Sequence, residues 1–269
     1  MLIWISGASS GLGFFLAEEL RQRGDSLVTG ARSFENGSME DGICRLRLDI
    51  TDDKSIQEFV ENAAKFGKPD VLINAAGAMR FSALQDIPYE ELQGVLDVNL
   101  FGTLKMTRAF LKIRQEGKAP ESEKTGGLVV NFSSINGLLS IPYQGAYSIS
   151  KHAIEAMTEA MQAENPDTRF MLVEPGDHRG GSEKSRVFCK NVSERHRKAM
   201  RLATDRIRKD ENSGSSPERF ARKLAGAIHR RRPPLRLRIA SLDQHLAVIL
   251  HDLLPSRLFS NIIRSYYSK

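Results

Sequence analysis

Short aliphatic runs alternate with amphipathic helical segments along nearly all of the 269-residue chain. Seven runs have the length and the β-branched or aliphatic composition of buried strands: LIWIS, SLVTG, RLRLDI, DVLINAAG, GLVVNFSS, RFMLVEPG and LRLRIA. Helical patterns separate them, such as Leu12, Leu16 and Leu20 and the stretch 89–113. A repeated strand-then-helix order is typical of parallel strands covered by helices. The sequence therefore predicts an α/β fold, a doubly wound parallel sheet of about seven strands with helices on both faces.

The composition is that of one globular domain. The chain is 41% hydrophobic and 27% charged, enough to bury a full core over residues 1–269. No uninterrupted apolar run approaches the roughly 20 residues that span a bilayer, and Met1 leads into LIWIS without a basic leader, so we expect a cytoplasmic protein. Cys44 and Cys189 lie far apart and outside any metal-binding spacing. We therefore expect two reduced thiols and no metal site.

Positive charge is concentrated in the last third of the chain. The formal net charge is +6 and the isoelectric point is near 9.4, with most of the excess after residue 178. No aromatic residues interleave with these bases as a stacking platform for nucleic acid requires, so we expect no nucleic-acid partner. A solvated helix face accounts for the charge, and attraction of an acidic substrate is the alternative.

A glycine-rich turn follows the first predicted strand. The segment SGASSGLG places Gly7, Gly11 and Gly13 between LIWIS and the first helical pattern. Glycines here allow a tight turn, close approach of the backbone to a ligand and close packing of helix on sheet. The N-terminus of the following helix offers unpaired N–H groups to a phosphate. This position predicts nucleotide binding, with a plain turn as the alternative.

The end of the second predicted strand bears on the choice of nucleotide. A site for NAD tends to place an acidic residue here for the ribose 2′-hydroxyl, whereas an arginine accommodates a 2′-phosphate. The sequence has Ala31 followed by Arg32. NADP(H) is favoured over NAD(H), and an ordinary surface arginine is the alternative.

A tyrosine and a lysine stand four residues apart in the helical segment AYSISKHAIEAM. Residues at this spacing lie on one helix face with Cβ atoms about 5–6 Å apart, so the Lys151 ammonium can reach the Tyr147 phenol. Taken alone, the two are most simply a pair of surface residues.

Eight segments of the sequence, taken together, change the interpretation of Tyr147 and Lys151. In chain order they are SGASSGLG, LDITD, NAAG, VNLFG, VVNFSSINGLLSIP, YSISK, EPG and SPERFARKLAGAI. Over nearly the whole chain they resemble the short-chain dehydrogenases/reductases of the single-domain kind, enzymes with a Rossmann fold. Each segment alone is weak evidence, but the set in this order is highly specific.

The resemblance implies a catalytic tetrad of Asn99, Ser134, Tyr147 and Lys151. Tyr147 would exchange the proton with the substrate oxygen, Ser134 would donate a hydrogen bond to it, and Asn99 would hold a water linking Lys151 to solvent. A lysine charge about 4 Å away at an effective dielectric of about 20 supplies about 4 kcal/mol, enough to bring a tyrosine pKa from about 10 to about 7. We therefore expect Lys151 to lower the pKa of Tyr147 and to hold the nicotinamide ribose.

The resemblance also implies a set of cofactor-binding residues. Asp49 matches the residue that binds the adenine amino group, and Asn74 with Gly77 matches the lining behind the fourth strand; a strand-end cap and a tight turn are the alternatives. The expected cofactor contacts are Gly7, Ser9, Ser10, Gly11, Leu12, Gly13, Arg32, Asp49, Ile50, Asn74, Ala75, Ala76, Gly77, Tyr147, Lys151, Pro175 and Gly176.

Two segments depart from the common pattern. After PG the family usually has apolar residues and a threonine that holds the nicotinamide carboxamide, whereas this chain has Asp177-His178-Arg179 and then Gly180. Binding of the carboxamide or the substrate by this charged turn is one interpretation, and a disordered lid is the other. We interpret 180–216 as a lid on the substrate side. The second segment, 241–269, carries apolar helical stripes that we expect to pack in the core or against another subunit; contact with a membrane surface is possible but not favoured.

The sequence thus predicts an NADP(H)-dependent oxidoreductase that interconverts a ketone and a secondary alcohol and forms a homo-dimer or homo-tetramer. One alternative is an NAD-linked alcohol or hydroxysteroid dehydrogenase, which differs mainly at Arg32. The other is a non-catalytic NADP(H)-sensing protein on the same fold, and the intact tetrad argues against it.

Overall fold

The computed structural model describes residues 1–35, 37–40, 42–115, 126–179, 186–190 and 192–268. In this part of the chain an eight-stranded sheet has the order β10-β8-β7-β5-β1-β2-β4-β3, and β6 pairs with β9 in a separate small sheet. The strands are β1 (Leu2–Ser6), β2 (Ser26–Ala31), β3 (Ser38–Glu40), β4 (Ile43–Arg47), β5 (Val71–Asn74), β6 (Met79–Phe81), β7 (Leu128–Phe132), β8 (Arg169–Pro175), β9 (Arg186–Phe188) and β10 (Arg236–Ile239).

Seven strands of the large sheet run parallel, and the short β3 pairs antiparallel with β4 at one edge. The predicted doubly wound sheet of about seven strands is therefore confirmed. β1 lies between β2 and β5, so the chain leaves β1 in one direction and returns on its other side. Ligands in such sheets bind outside the carboxyl ends of the strands at this reversal.

Helices cover both faces of the sheet. They are α1 (Gly11–Gln22), α2 (Asp53–Ala63), α3 (Tyr89–Leu96), α4 (Thr103–Gln115), α5 (Gly145–Glu164), α6 (Glu194–Ser213), α7 (Pro217–Ile228), α8 (Leu242–Leu253) and α9 (Ser256–Tyr267). Side chains alternate along β1: Ile3 and Ile5 join a core with α1 and α7, whereas Trp4 joins a core with α2 and α4. Two buried cores therefore sandwich the sheet.

The predicted lid contains one short strand and one long helix. The structure describes 186–190 and 192–216 of it, where β9 and α6 lie, and Gly180 falls outside the described residues. Helix α7 begins directly after this segment, where the Ser216 hydroxyl accepts a hydrogen bond from the Arg219 amide at 3.2 Å and Pro217 occupies the first turn.

The basic residues of α6 form a solvated face, as predicted. The exposed ones are Arg195, Arg197, Lys198, Arg201, Arg208 and Lys209. The residues of α6 that line the large cleft described below are different: Ile207, Asp210 and Glu211. The charge that α6 presents to the cleft is therefore negative.

The C-terminal helices pack on one side only. Val248 of α8 and Phe259 of α9 are buried against Leu139, in line with the expected core packing. The opposite side of α8 is exposed, with Leu242 at 88% and Leu253 at 74% of their full accessibility. Within the described residues, no helix has both the length and the apolar character needed to cross a membrane.

Candidate active site

The glycine-rich turn lies where the sheet reverses. Gly7 has φ +79°, and a Cβ atom on it would stand 2.4 Å from the amide nitrogen of Ala76 in the turn after β5. A Cβ atom on Gly13 would stand 2.4 Å from the carbonyl oxygen of Gly7. Ser10 occupies the N-cap position of α1 without a side-chain capping bond. The first-turn N–H groups of α1 are therefore available to an anion such as a pyrophosphate.

A cleft of about 1050 Å³ opens along the carboxyl ends of the strands. It is slightly larger than the roughly 300–1,000 Å³ usual for small-molecule sites, so it has room for a dinucleotide and a substrate. Most of the predicted cofactor residues line it: Gly7, Ser9, Ser10, Gly11, Leu12, Gly13, Arg32, Asp49, Ile50, Ala75, Ala76, Gly77, Tyr147, Lys151, Pro175 and Gly176.

Three residues of the tetrad line the same cleft. Ser134 follows β7, and Tyr147 and Lys151 lie one turn apart on α5. The Ser134 hydroxyl accepts a hydrogen bond from the Asn136 amide at 3.2 Å and lies close enough to Tyr147 to influence the pKa of its phenol. The Lys151 Nζ lies 5.5 Å from the Tyr147 ring centroid and donates a hydrogen bond of 2.5 Å to the Phe132 carbonyl. The arrangement brings two hydroxyl groups and one amine to a single wall of the cleft.

Asn99 lies in a π-helical turn, Asp97–Gly102, between α3 and α4. Its side chain bonds both backbone groups of Ala78: Oδ1 accepts from the amide at 2.7 Å, and Nδ2 donates to the carbonyl at 2.9 Å. Nδ2 also donates to the Ser150 hydroxyl at 2.8 Å. Such turns are often found at functional sites. Asn99 therefore anchors the loop after β5 to α5 instead of lining the cleft.

Comparison with known proteins agrees with this geometry. Residues 1–186 match the family model of the short chain dehydrogenases. A 3-ketodihydrosphingosine reductase of Bacteroides thetaiotaomicron is 30% identical over 99% of this chain and 98% of its own. This chain belongs to the short-chain dehydrogenase family.

Two further known proteins are similar to this chain. The structure of a short-chain dehydrogenase from Streptomyces avermitilis superposes with a TM-score of 0.78 at 26% identity, covering 98% of this chain and 97% of that one. An NADPH-dependent 3-dehydrocapnine reductase of Ornithobacterium rhinotracheale is 31% identical over 64% of this chain and 63% of its own. The family assignment from the eight sequence segments is thus confirmed.

The electrostatics of this short-chain dehydrogenase site differ from the expectation. Burial raises the pKa of Tyr147 to about 12, and the hydrogen bond with Ser134 only partly opposes this. Burial also lowers the pKa of Lys151 to about 8, against the opposing charge of Glu155. The expected lowering of the tyrosine pKa is not found, because desolvation of the phenolate is the largest influence on this pKa. The phenol is protonated at neutral pH and is in the form needed to donate a proton.

Arg32 and Asp49 lie near each other at the adenosine end of the predicted nucleotide site. Both line the cleft, and Arg32 is exposed. Burial acts to raise the pKa of Asp49, but hydrogen bonds from Thr51 and the charges of Arg32 and Arg47 outweigh it and lower the pKa. An ionised carboxylate and an exposed guanidinium therefore share this end of the cleft.

Asn74 does not line the cleft. Its amide donates to the Thr107 hydroxyl at 3.1 Å and to the Asn131 side-chain oxygen at 2.9 Å, and the residue is 2% exposed. It joins β5 to β7 and α4 inside the core. This position favours the structural alternative over contact with the cofactor.

The turn after β8 is held by α8. The Asp177 carboxylate accepts a hydrogen bond of 2.6 Å from the Gln244 side chain. His178 is buried, and its Nδ1 lies 2.7 Å from the Gly176 carbonyl oxygen. Burial lowers the pKa of His178, so the imidazole is neutral at neutral pH and its Nδ1 is the donor. Of the unusual residues after PG, Asp177 and His178 thus line the cleft.

The sequence revealed only part of the far side of the cleft. This side is lined by residues from remote segments: Asp97 from the π-helical turn, Asp177 and His178 from the turn after β8, Ile207, Asp210 and Glu211 from α6, and Tyr267 from α9. The departure after PG pointed to Asp177 and His178, whereas the amphipathic pattern of α6 and α9 does not identify the side that faces a ligand.

Proposed function

We propose that this short-chain dehydrogenase is an NADP(H)-dependent oxidoreductase that interconverts a ketone and a secondary alcohol. The observation that carries the proposal is the placement of Ser134, Tyr147 and Lys151 on one wall of the cleft that also holds the glycine-rich turn. The glycine cradle and the open N-terminus of α1 fit a pyrophosphate. When bound, NADP(H) supplies or accepts a hydride at C4 of its nicotinamide.

The side chains then have distinct tasks. In reduction, negative charge grows on the carbonyl oxygen, which needs a proton and hydrogen-bond donors. Tyr147 donates the proton, and Ser134, whose hydroxyl lies near that phenol, donates a hydrogen bond to the same oxygen. Lys151 in its charged form stabilises the phenolate left behind. In oxidation the same groups act in reverse.

Arg32 supports NADP(H) over NAD(H). It follows β2 and lines the cleft, where an arginine can bind a 2′-phosphate with two parallel hydrogen bonds. A relative of this chain is named as NADPH-dependent. The alternative is an NAD-linked alcohol or hydroxysteroid dehydrogenase. Its cofactor has no 2′-phosphate for a guanidinium at this position to bind.

Titration with NADPH and with NADH, followed by nicotinamide fluorescence, tests the cofactor proposal. We expect NADPH to bind at least about tenfold more tightly, because hydrogen bonds to a charged phosphate are among the strongest in proteins. Tighter NADH binding would favour the NAD-linked alternative. Tight NADPH binding without turnover of any ketone would favour the non-catalytic sensor.

The far side of the cleft favours a substrate without negative charge. Its carboxylates belong to Asp97, Asp177, Asp210 and Glu211. Arg80 also lines the cleft and is ion-paired with Glu91. The interpretation of the basic lid as an attractor of acidic substrates is therefore not supported, since the other bases of α6 are exposed to solvent and Arg206 is ion-paired with Asp210. A relative over nearly the full chain is named as a reductase of 3-ketodihydrosphingosine, which supports a keto compound as substrate.

A panel of ketones matched in length tests this preference. We expect kcat/KM for neutral and amine-bearing ketones to exceed that for carboxylate and phosphate analogues by about tenfold or more, because like charges brought together in an interface cost several kcal/mol. Raising the salt concentration should narrow the difference. Equal or faster turnover of the anionic analogues would contradict the preference.

We further propose that the protein forms a homo-dimer or homo-tetramer. Exposed apolar side chains outside the C-terminal helices support this, with Phe101 at 42% and Ile149 at 43% exposure. Sedimentation equilibrium would identify the assembly.

A further inference from the structure

A cluster of buried and half-buried charges lies one helical turn beyond the catalytic lysine. Glu155 is four residues after Lys151 on α5, and its side chain is 8% exposed. Arg236 on β10 binds Glu155 through Nη1 and also donates from Nη1 to the Glu174 carboxylate of β8 at 2.8 Å. Its Nη2 binds Glu159, one turn further along α5. Arg236 of β10 thus holds the charged end of Glu155.

Glu174 is nearly inaccessible and has two arginine partners. Its side chain is 1% exposed, and its second oxygen accepts from Arg238 Nε at 2.7 Å. Three carboxylates in the cluster therefore meet two guanidinium groups. The excess negative charge lies next to Lys151, which is itself 4% exposed. A buried charge is tolerated when an opposite charge offsets its loss of hydration, so the cluster has the charge that a buried ammonium requires.

The negative charge of the cluster stabilises the buried Lys151 ammonium, because the group that accepts the hydrogen bond of this ammonium is neutral. Its Nζ donates to the carbonyl oxygen of Phe132. Residues four apart on a helix have Cβ atoms about 5–6 Å apart, which places Glu155 on the same face of α5. A Cβ atom on Gly137 would stand 3.1 Å from Oε1 of Glu155, so this carboxylate packs beneath the turn that follows Ser134. Glu155 is therefore held close to the site without lining the cleft.

We propose that Glu155 is a positioning residue that keeps Lys151 in its charged form, with Arg236 holding the Glu155 carboxylate in place. The inference rests on the proposed function, in which the charged lysine stabilises the phenolate of Tyr147. It assigns a task in the active site to an ion-pair cluster that otherwise only joins α5 to the sheet.

Burial and the Glu155 charge act on the pKa of Lys151 in opposite directions. Burial lowers this pKa to about 8, and Glu155 opposes the shift. The charged and titratable groups on the elements around the lysine are Tyr147 and Glu155 on α5, Asp97 in the π-helical turn, Glu174 on β8, Asp177 and His178 in the following turn, and Arg236 on β10. Removal of the Glu155 charge moves the pKa further down, so the lysine loses its proton at a lower pH.

The pH profile of reduction by Glu155→Gln tests the proposal. We expect kcat/KM of the native protein to fall as pH rises through about 8, the pKa of Lys151. In Glu155→Gln the fall should begin about one pH unit lower, because a nearby opposite charge shifts the pKa of a buried group by about one unit or more. Activity should be near the native value at pH 6 and about fivefold below it at pH 8, where the charged fraction of the lysine falls from about one half to about one tenth. Glu155→Asp should restore the native profile.

Glu159→Gln is the matched control. It removes a carboxylate from the same arginine, but Glu159 is half-exposed and lies a further turn from the lysine. Its profile should follow that of the native protein. A uniform loss in Glu155→Gln at every pH would show a packing role and overturn the proposal, as would an unchanged profile. If Glu155→Gln does not fold, the double variant Glu155→Gln/Arg236→Met removes both members of the ion pair and is measured in the same way.

A measurement without cofactor separates this inference from the proposed function. The rate at which acetic anhydride acetylates Lys151 at each pH, followed by mass spectrometry, reports the pKa of the amine directly. We expect this pKa to be about one unit lower in Glu155→Gln than in the native protein and in Glu159→Gln. An equal pKa in all three would overturn the role of Glu155 even if the native protein reduces ketones. Absence of turnover with a shifted pKa would instead refute the proposed function.

Discussion

Replacement of Tyr147 with phenylalanine is expected to lower kcat for ketone reduction by roughly two to four orders of magnitude, the usual contribution of a positioned proton donor. Burial raises the pKa of this phenol to about 12, so it carries its proton throughout the neutral range. The substitution removes the hydroxyl group and keeps the ring that lines the cleft. The dissociation constant of NADPH should therefore change by less than about threefold, which corresponds to well under 1 kcal/mol.

Tyr143 offers a matched control on the same segment. Its hydroxyl lies 3.4 Å from Nδ1 of His196, and its ring packs with a small apolar cluster around Phe81. It does not line the cleft that holds Tyr147. Tyr143→Phe should retain kcat within about threefold. Steady-state kinetics with NADPH and a neutral ketone measures both variants, and retention of activity by Tyr147→Phe would refute the proposed mechanism.

Most of the strands that sequence alone located have both faces covered, and β10 at the edge of the sheet is the exception. Trp4 and Ile5 are neighbours in β1 and lie in opposite cores, so the segment reads as a continuous apolar run. The strands β3, β6 and β9 have three residues each and were not predicted. A run of three residues is too short to show a periodicity, and such strands form only where the folded chain brings their partners together.

The candidate site likewise has features that the sequence predicted and features that it did not. Ser10, Tyr147 and Lys151 were found because a turn or one helix turn sets their spacing locally. The position of Asn99 in a π-helical turn and the cleft-facing side of α6 depend on packing between elements distant in sequence. The pKa of Tyr147 depends on burial of the whole site. A pairwise estimate from the lysine charge therefore gave the wrong direction.

Replacement of Arg32 with alanine is expected to weaken NADPH binding by about tenfold to a hundredfold, because each hydrogen bond from a guanidinium to a charged phosphate is worth about 1.5–3 kcal/mol. Binding of NADH, which has no 2′-phosphate, should change by less than about threefold. The Arg32 side chain is exposed, so its removal leaves no cavity in the core. Fluorescence titration of both cofactors at about 0.15 M salt measures the two constants.

The variant Arg47→Ala distinguishes a direct contact between Arg32 and the 2′-phosphate from a general attraction of the phosphate by positive charge. Like Arg32 it lowers the pKa of Asp49, so its positive charge acts on the same end of the cleft, but Arg47 does not line the cleft. Arg47→Ala should therefore weaken NADPH binding much less than Arg32→Ala, and raised salt should abolish its effect first, since charges further apart are screened more strongly. If both variants weaken NADPH equally, the site attracts the phosphate by its overall charge. If Arg32→Ala weakens NADPH and NADH equally, Arg32 contacts a part that the two cofactors share, and the preference for NADP(H) loses its basis.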